Sequence, residues 1–304
     1  MKNQTFGIEI ECYGVDRTKV ATAVAGYFGT TASRPDHTCY RTQTIPTGDG
    51  RHWKVMRDAS LPGPDDQKIE LVSPICRWED IETVQALVRL LRHTGVKVAP
   101  VGSGWDRKTC GIHVHIGKGE HTPESLRRLV NIVNAKEDFL EEALEIDAFR
   151  REHWCKPVDQ RFLTRLNREK PKSMERLAQL WYDSTDWERH ANTHYDDSRY
   201  HLLNLHAVWQ KGTIEFRAFN STLHAGEVKA YIQLCMAISH KALKSASASP
   251  RRPETDNHAY AFRCWLLQLG MIGEEFATAR HHLMKKVPGN AAWRNGDPTH
   301  RRDD

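Results

Sequence analysis

The stretch FGIEIEC, residues 6–12, alternates with the period of a β-strand: Phe6, Ile8, Ile10 and Cys12 fall on one face, and Gly7, Glu9 and Glu11 on the other. The two carboxylates then stand side by side, roughly 6.7 Å apart at about 3.3 Å rise per residue. Like charges at that spacing repel unless something positive lies between or above them. The same pattern returns along the chain. In CGIHVHIG, residues 110–117, Ile112, Val114 and Ile116 share a face, while His113 and His115 share the other with Gly111 and Gly117. In TIEFRAF, residues 213–219, Ile214, Phe216 and Ala218 oppose Thr213, Glu215, Arg217 and Phe219. In KIELVSP, Glu70 lies opposite Ile69 and Leu71, and the preceding WKVMRDASL ends a strand with Asp58 and Ser60.

A solvated strand face is usually rich in Thr, Lys and Gln. These faces instead carry carboxylates, imidazoles and one guanidinium, flanked by glycines that let something approach. One H-x-H or E-x-E is a weak signal, and the coincidence of four such strands is the strong one. Oxygen-rich clusters suit hard divalent cations, and a histidine among the ligands admits Mn²⁺ beside Mg²⁺. A wide face of this kind fits two or three Mg²⁺ or Mn²⁺ ions bridging the phosphates of ATP. A compact zinc site built from His113, His115 and one Glu is the competing reading, and it leaves the other glutamates and Arg217 without a role.

Periodicity places strands near 5–12, 52–57, 68–73, 110–117, 201–208 and 212–219, the last two joined by a turn around WQKG. Helices are predicted over 17–28, 78–93, 122–143, 173–182, 225–243, 257–269 and 273–285; Thr122 and Pro123 suit the start of the third. The predicted fold class is α+β, with a curved, mostly antiparallel sheet of about six strands backed by helices on its apolar face. SASASPRRPETD, residues 245–256, is linker-like. It divides a main domain over 1–245, with a helical insertion at 144–200, from a C-terminal helical extension over 246–304 that ends in an irregular tail after Val287.

The chain has 304 residues, 27% charged and 39% hydrophobic, which is ordinary for a soluble globular protein. No apolar run approaches the ~20 residues of a membrane helix, and the polar N-terminus carries no signal-peptide core. Seven cysteines without a C-x-x-C pair point to reduced thiols and a cytoplasmic setting. A net charge of +5, with no basic run interleaved with aromatics, gives no nucleic-acid footprint. Cys110 precedes the His-x-His strand, but its alternation turns it to the apolar side as an inert thiol. Oligomeric state is open.

FGIEIE, the W-K-V-x-x-D-x-S-L run, I-E-L-V-S-P, G-I-H-V-H-I-G and the late R-x-x-x-x-N … I-E-F-R pair, in this order, resemble the amidoligase family, within the carboxylate–amine ligases related to glutamine synthetase and glutamate–cysteine ligase. The resemblance runs from residue 5 to about 225. It implies a glutamine-synthetase-like catalytic fold in which the sheet forms a funnel, with ATP at one end, acceptor substrates at the other and divalent ions midway. By motif, Glu9, Glu11, Glu70, His113 and Glu215 would face the metals and Arg217 the transferring phosphate. Asp58 and Ser60 would lie near the metals or the amine, and Arg199 and Asn204 near nucleotide or carboxylate. His115 is placed with the nucleotide side, since relatives vary there. Ala59 departs from the glycine that relatives often carry in D-G-S-L.

The implied activity is an ATP-dependent ligase that forms an amide through an acyl phosphate, taking amine and carboxylate partners from small molecules, peptides or proteins. A metal-dependent hydrolase or phosphotransferase on the same sheet, and an inactive nucleotide-binding relative, are the alternatives. Segment 144–200, rich in Trp, Arg, His and Asp, is either a lid or an ordinary helical insertion.

Overall fold

The alternation in FGIEIEC holds in three dimensions. The computed structural model describes residues 1–294. Among them, β1 (Phe6–Tyr13), β2 (Gln43–Pro46), β3 (His52–Met56), β4 (Lys68–Val72), β5 (Gly111–Gly117), β6 (Leu203–Asn204) and β7 (Thr213–Asn220) form one sheet in the order β2-β3-β4-β1-β5-β7-β6. Every neighbouring pair is antiparallel. The helices are α1 (Arg17–Tyr27), α2 (Ile81–Thr94), α3 (Pro123–Asn134), α4 (Glu137–Leu144), α5 (Ala148–His153), α6 (Gln160–Glu169), α7 (Met174–Tyr182), α8 (Trp187–Asn192), α9 (His206–Gln210), α10 (Ala225–Lys244), α11 (His258–Gln268) and α12 (Ala277–Met284). No described helix is long and apolar enough to cross a membrane.

One face of the sheet is dry. Ile10, Ile112, Val114 and Ile116 are fully buried; α10 packs on β5, α1 on β2 and β3, and α2 and α3 pack against α10. α10 is buried around most of its circumference, so it acts as the central rod of this layer. A polar pin crosses the layer: His121 links Ser125 of α3 to Ser239 of α10 at 2.9 Å on each side. Burial lowers the His121 pKa to about 4, keeping the pin neutral.

The C-terminal helices α11 and α12 bury Phe262, Leu266 and Leu283 in the same core that backs the sheet. The linker-like stretch is strapped down on the way: Asn131 and Asn134 donate to the carbonyls of Ala248 and Pro250 at 2.9 and 2.8 Å. Arg252 pairs with Glu137 at 2.6 Å. These attachments flank the point where the helix expected over 122–143 breaks into α3 and α4, at Lys136. Residues 288–294 carry no helix or strand, and the rest of the expected tail, 295–304, lies outside the described residues.

Three further local features differ from the sequence reading. Strand β2 was not foreseen; it is a four-residue edge strand closing on Pro46, too short to establish a period. The strand expected over 201–208 shrinks to Leu203–Asn204, because the Asn204 side chain accepts from the His206 N–H at 2.8 Å and turns the chain into α9. The third is a bulge in β7. Ile112 pairs with Phe219 but Val114 pairs with Phe216, so Arg217 and Ala218 together oppose His113. The extra residue reverses the alternation beyond it. Phe219, expected on the polar face, is 2% exposed and stacks on Tyr231 of α10 with ring centroids 4.4 Å apart.

That placement gives a test of the bulge. Phe219→Ala should cost about 3–5 kcal/mol by opening a cavity beneath α10, measured as a lower urea midpoint at unchanged m-value. A loss within about 0.5 kcal/mol, as for a surface substitution, would return Phe219 to the polar face.

Candidate metal centre

Strand register assembles the site in three rows across the polar face. Gly7, His115, Glu215 and Asn204 are successive partners along one row. Glu9 stands opposite His113 in the next. Glu70 stands opposite Glu11 in the third. Four glutamates and two histidines, drawn from four strands, thus meet because alternation and register agree. Glu11, His113, His115 and Glu215 are all at most 6% exposed.

The imidazoles have defined roles. His113 Nδ1 is 3.1 Å from Glu9 Oε2. An ionised carboxylate only accepts, so Nδ1 is the donor and Nε2 carries the lone pair. That Nε2 faces Glu11 Oε1 at 3.6 Å. His115 Nδ1 is hydrogen-bonded to the Thr213 hydroxyl at 3.0 Å. Its Nε2 lies 3.2 Å from Glu9 Oε1 and 3.7 Å from Glu215 Oε1, yet is buried with no hydrogen-bond partner among the described residues.

Ligand atoms of Glu9, His113 and Glu215 lie within 4.8 Å of one another, and so do those of Glu11, Glu70 and His113. Carboxylate oxygens with one imidazole nitrogen per cluster, and an orphaned Nε2 aimed at two carboxylates, fit a hard divalent cation such as Mg²⁺ or Mn²⁺. A single compact zinc site fits less well, because the two Nε2 atoms point to different carboxylate pairs.

The face is divided electrostatically. Burial pushes every carboxylate up, but His115, His113 and Lys211 outweigh it at Glu9 and hold that group well below the usual range. At Glu215, Arg217, His115 and His113 likewise outweigh burial, and the pKa is lowered. Glu11 goes the other way: burial and the nearby Asp58 raise it to about 7. Burial, Glu9, Asp58 and Glu11 raise Glu70 well above its ordinary value. Burial and Arg217 lower His113 to about 4, so it is neutral at pH 7.

The remaining expected residues surround this cluster. Arg217, 5% exposed, donates to Glu215 Oε1 at 2.6 Å and to the Trp154 carbonyl at 3.4 Å. Asn204 donates to the other oxygen of Glu215 at 2.5 Å and so holds that carboxylate. Asp58 and Ser60 form a local turn at the rim: Asp58 Oδ1 accepts from the Ser60 N–H and hydroxyl, each at 2.7 Å. Ser60 is exposed and turned to Asp58. Arg199 lies farther out, between the rings of Tyr195 and Tyr200 at 5.3 and 5.7 Å. Cys110 is buried, with its pKa raised by burial and Glu11, as expected for an inert thiol.

Two cations were missed. Arg150, from α5 in the 144–200 segment, is 3% exposed and donates to the Arg217 carbonyl at 3.0 Å. Its guanidinium occupies the space a Cβ on Gly111 would need, which is why glycine stands there, and Gly111 N–H donates to Glu11 Oε2 at 2.5 Å. The glycine beside the His-x-His pair was the available signal. Lys211 reaches Glu9 Oε1 at 3.2 Å from the turn before β7, and nothing in WQKG announces it.

The divided charges set a pH dependence. A carboxyl whose folded pKa is raised keeps its proton in the fold, so stability falls as pH climbs from the unfolded value through the folded one. For Glu11 the window runs from 4.5 to about 7, and full ionisation costs on the order of 3 kcal/mol. His113 and His121, lowered from 6.5 to about 4, act oppositely between those values. Above pH 6.5 Glu11 and Glu70 share the decline with Glu137, which burial at the start of α4 raises to about 7. Glu70→Gln should therefore raise the chelator-treated Tm, by more at pH 8 than at pH 6.5. Glu215→Gln should lower it, since it strips the carboxylate from a buried Arg217. Equal responses of the two variants would sink the division.

No curated protein matches this chain in sequence. The family model described as putative amidoligase enzyme matches residues 2–239, a span that holds all seven strands and every residue of the two clusters, and the chain belongs to that family of ligase-type enzymes.

Proposed function

We propose that the protein is an ATP-dependent ligase that joins a carboxylate to an amine through an acyl phosphate. The reading rests on one sheet face where two adjacent oxygen-rich clusters share His113 beside a buried Arg217, in a chain of the amidoligase family. Divalent ions, Mg²⁺ or Mn²⁺ and two or three in number, would be held by Glu9, Glu215 and His115 on one side and by Glu11, Glu70 and His113 on the other. They would supply neutralising charge to the phosphates of ATP.

A carboxylate is a poor electrophile. Transfer of the γ-phosphoryl group to one of its oxygens, with ADP leaving, gives a mixed anhydride with a good leaving group. The amine nitrogen then bonds to the acyl carbon, inorganic phosphate departs, and the amine proton passes to a carboxylate of the site or to water. Arg217, whose pKa is raised by Glu215 and Glu11 against the effect of burial, keeps a permanent positive charge for the phosphoryl oxygens. Arg150 and α5 cover the Glu11 end and exclude water that would hydrolyse the intermediate. Amine and carboxylate substrates, from small molecules, peptides or proteins, would enter past Asp58, Ser60 and Arg199. Seven free thiols suit a cytoplasmic setting.

Phosphate release should require ATP, a carboxylate and an amine together; release with water alone would make the protein a hydrolase or phosphotransferase. Nucleotide should raise Tm only with Mg²⁺ or Mn²⁺ present, and equal stabilisation in excess chelator would remove the metal from the nucleotide site. Arg217→Lys keeps the charge but loses the planar fork. Single-turnover transfer from labelled ATP should then fall on the order of 10²-fold with nucleotide affinity little changed. Normal transfer in a destabilised variant would leave Arg217 as only the partner of Glu215.

A further inference from the structure

Three cations lie against the carboxylate face, and two are locked. Arg217 is buried against Glu215, and Arg150 is buried on the backbone of the β7 bulge. Lys211 differs. Its side chain is 40% exposed against 15% for Glu9, so it enters from the solvent side of the cluster. Its base is fixed: Gly212, at φ +67°, makes the turn, and its carbonyl accepts from Lys118 N–H at 2.9 Å. The stem beyond that base is a four-carbon chain with rotatable bonds, unlike the packed guanidiniums.

The ammonium meets Glu9 Oε1 at 3.2 Å, the same oxygen that faces the orphaned Nε2 of His115. A carboxylate oxygen in an ammonium contact from the solvent side cannot also be an unhindered inner ligand of a divalent ion, because the two positive centres would then stand within a few ångströms of each other. Lys211 and the ion therefore compete for Glu9. We propose that Lys211 is the mobile cation of this centre: a divalent ion at the Glu9–Glu215 cluster displaces its ammonium from Glu9, and the freed group turns to the mouth to hold the negative charge of a phosphoryl group. The displacement stands on the geometry of the cluster; the phosphoryl contact rests on the ligase reading.

Mn²⁺ binding, followed by electron paramagnetic resonance at low ionic strength, tests the competition. Lys211→Met should bind Mn²⁺ more tightly, on the order of 10-fold for one removed competing charge. Brief acetylation of the native protein, read residue by residue by mass spectrometry, gives a second measurement that needs no variant. Mn²⁺ should raise acetylation of Lys211 relative to the other lysines, and Mn²⁺ with a non-hydrolysable ATP analogue should lower it again. Unchanged or weaker Mn²⁺ binding by a folded Lys211→Met, or acetylation indifferent to Mn²⁺, overturns the displacement. Acetylation that rises with Mn²⁺ but ignores a bound analogue overturns the phosphoryl contact alone. An analogue that never binds, shown by an unchanged Tm, counts against the ligase reading and leaves the displacement supported.

Discussion

Glu9 facing His113 across β1 and β5 is the interaction from which the rest of the centre is built. Four glutamates on one sheet face would repel one another strongly in a half-buried setting. The His113 ring stands among them, takes Glu9 on one nitrogen and presents the other to Glu11, so a single neutral group separates the two carboxylate pairs. The flanking pairs then resolve differently. Beside Glu9 and Glu215 stand Lys211, Arg217 and His115, and both carboxyls stay ionised. Beside Glu11 and Glu70 stand Asp58 and each other, and both carboxyls hold their protons to higher pH.

The fold makes this tolerable by having a dry side that does not depend on the polar one. Ile10, Ile112, Val114 and Ile116, fully buried under the helices, commit each strand to its face, because a one-residue slip would put glutamate into that layer. Residues of the polar face can then be selected for charge while the apolar residues hold the register. The β7 bulge extends the same logic. It lets Phe219 return to the core while Arg217 remains beside Glu215, two demands that strict alternation cannot meet over this stretch.

Much of this was legible in the sequence because it is periodic. Glu9, Glu11, Glu70, His113, His115, Glu215 and Arg217 each sit at alternate positions in strands whose other residues are apolar, and the sheet brings them together. What escaped is what periodicity does not encode. Phe219 was misplaced because a bulge inserts one residue without marking it. The partners of the Asn204 side chain, Glu215 and the His206 N–H at the start of α9, are set by local turn geometry that alternation does not record. Arg150 and Lys211 arrive from an insertion helix and a turn, separated from their neighbours by 67 and 202 residues in the contacts to Arg217 and Glu9. Only the missing side chain of Gly111 records that Arg150 approaches.

Sharing one imidazole between two clusters also couples them. A neutral histidine has a single lone pair, so with its proton on Nδ1 against Glu9, His113 serves the Glu11–Glu70 side through Nε2. The Glu9–Glu215 side would then be completed by His115, whose Nε2 is without a hydrogen-bond partner among the described residues. The two sides also differ in charge. Burial raises all four carboxyls; the histidines, Arg217 and Lys211 overcome it at Glu9 and Glu215, whereas neighbouring carboxylates add to it at Glu11 and Glu70, so the two sides offer a cation unlike charge.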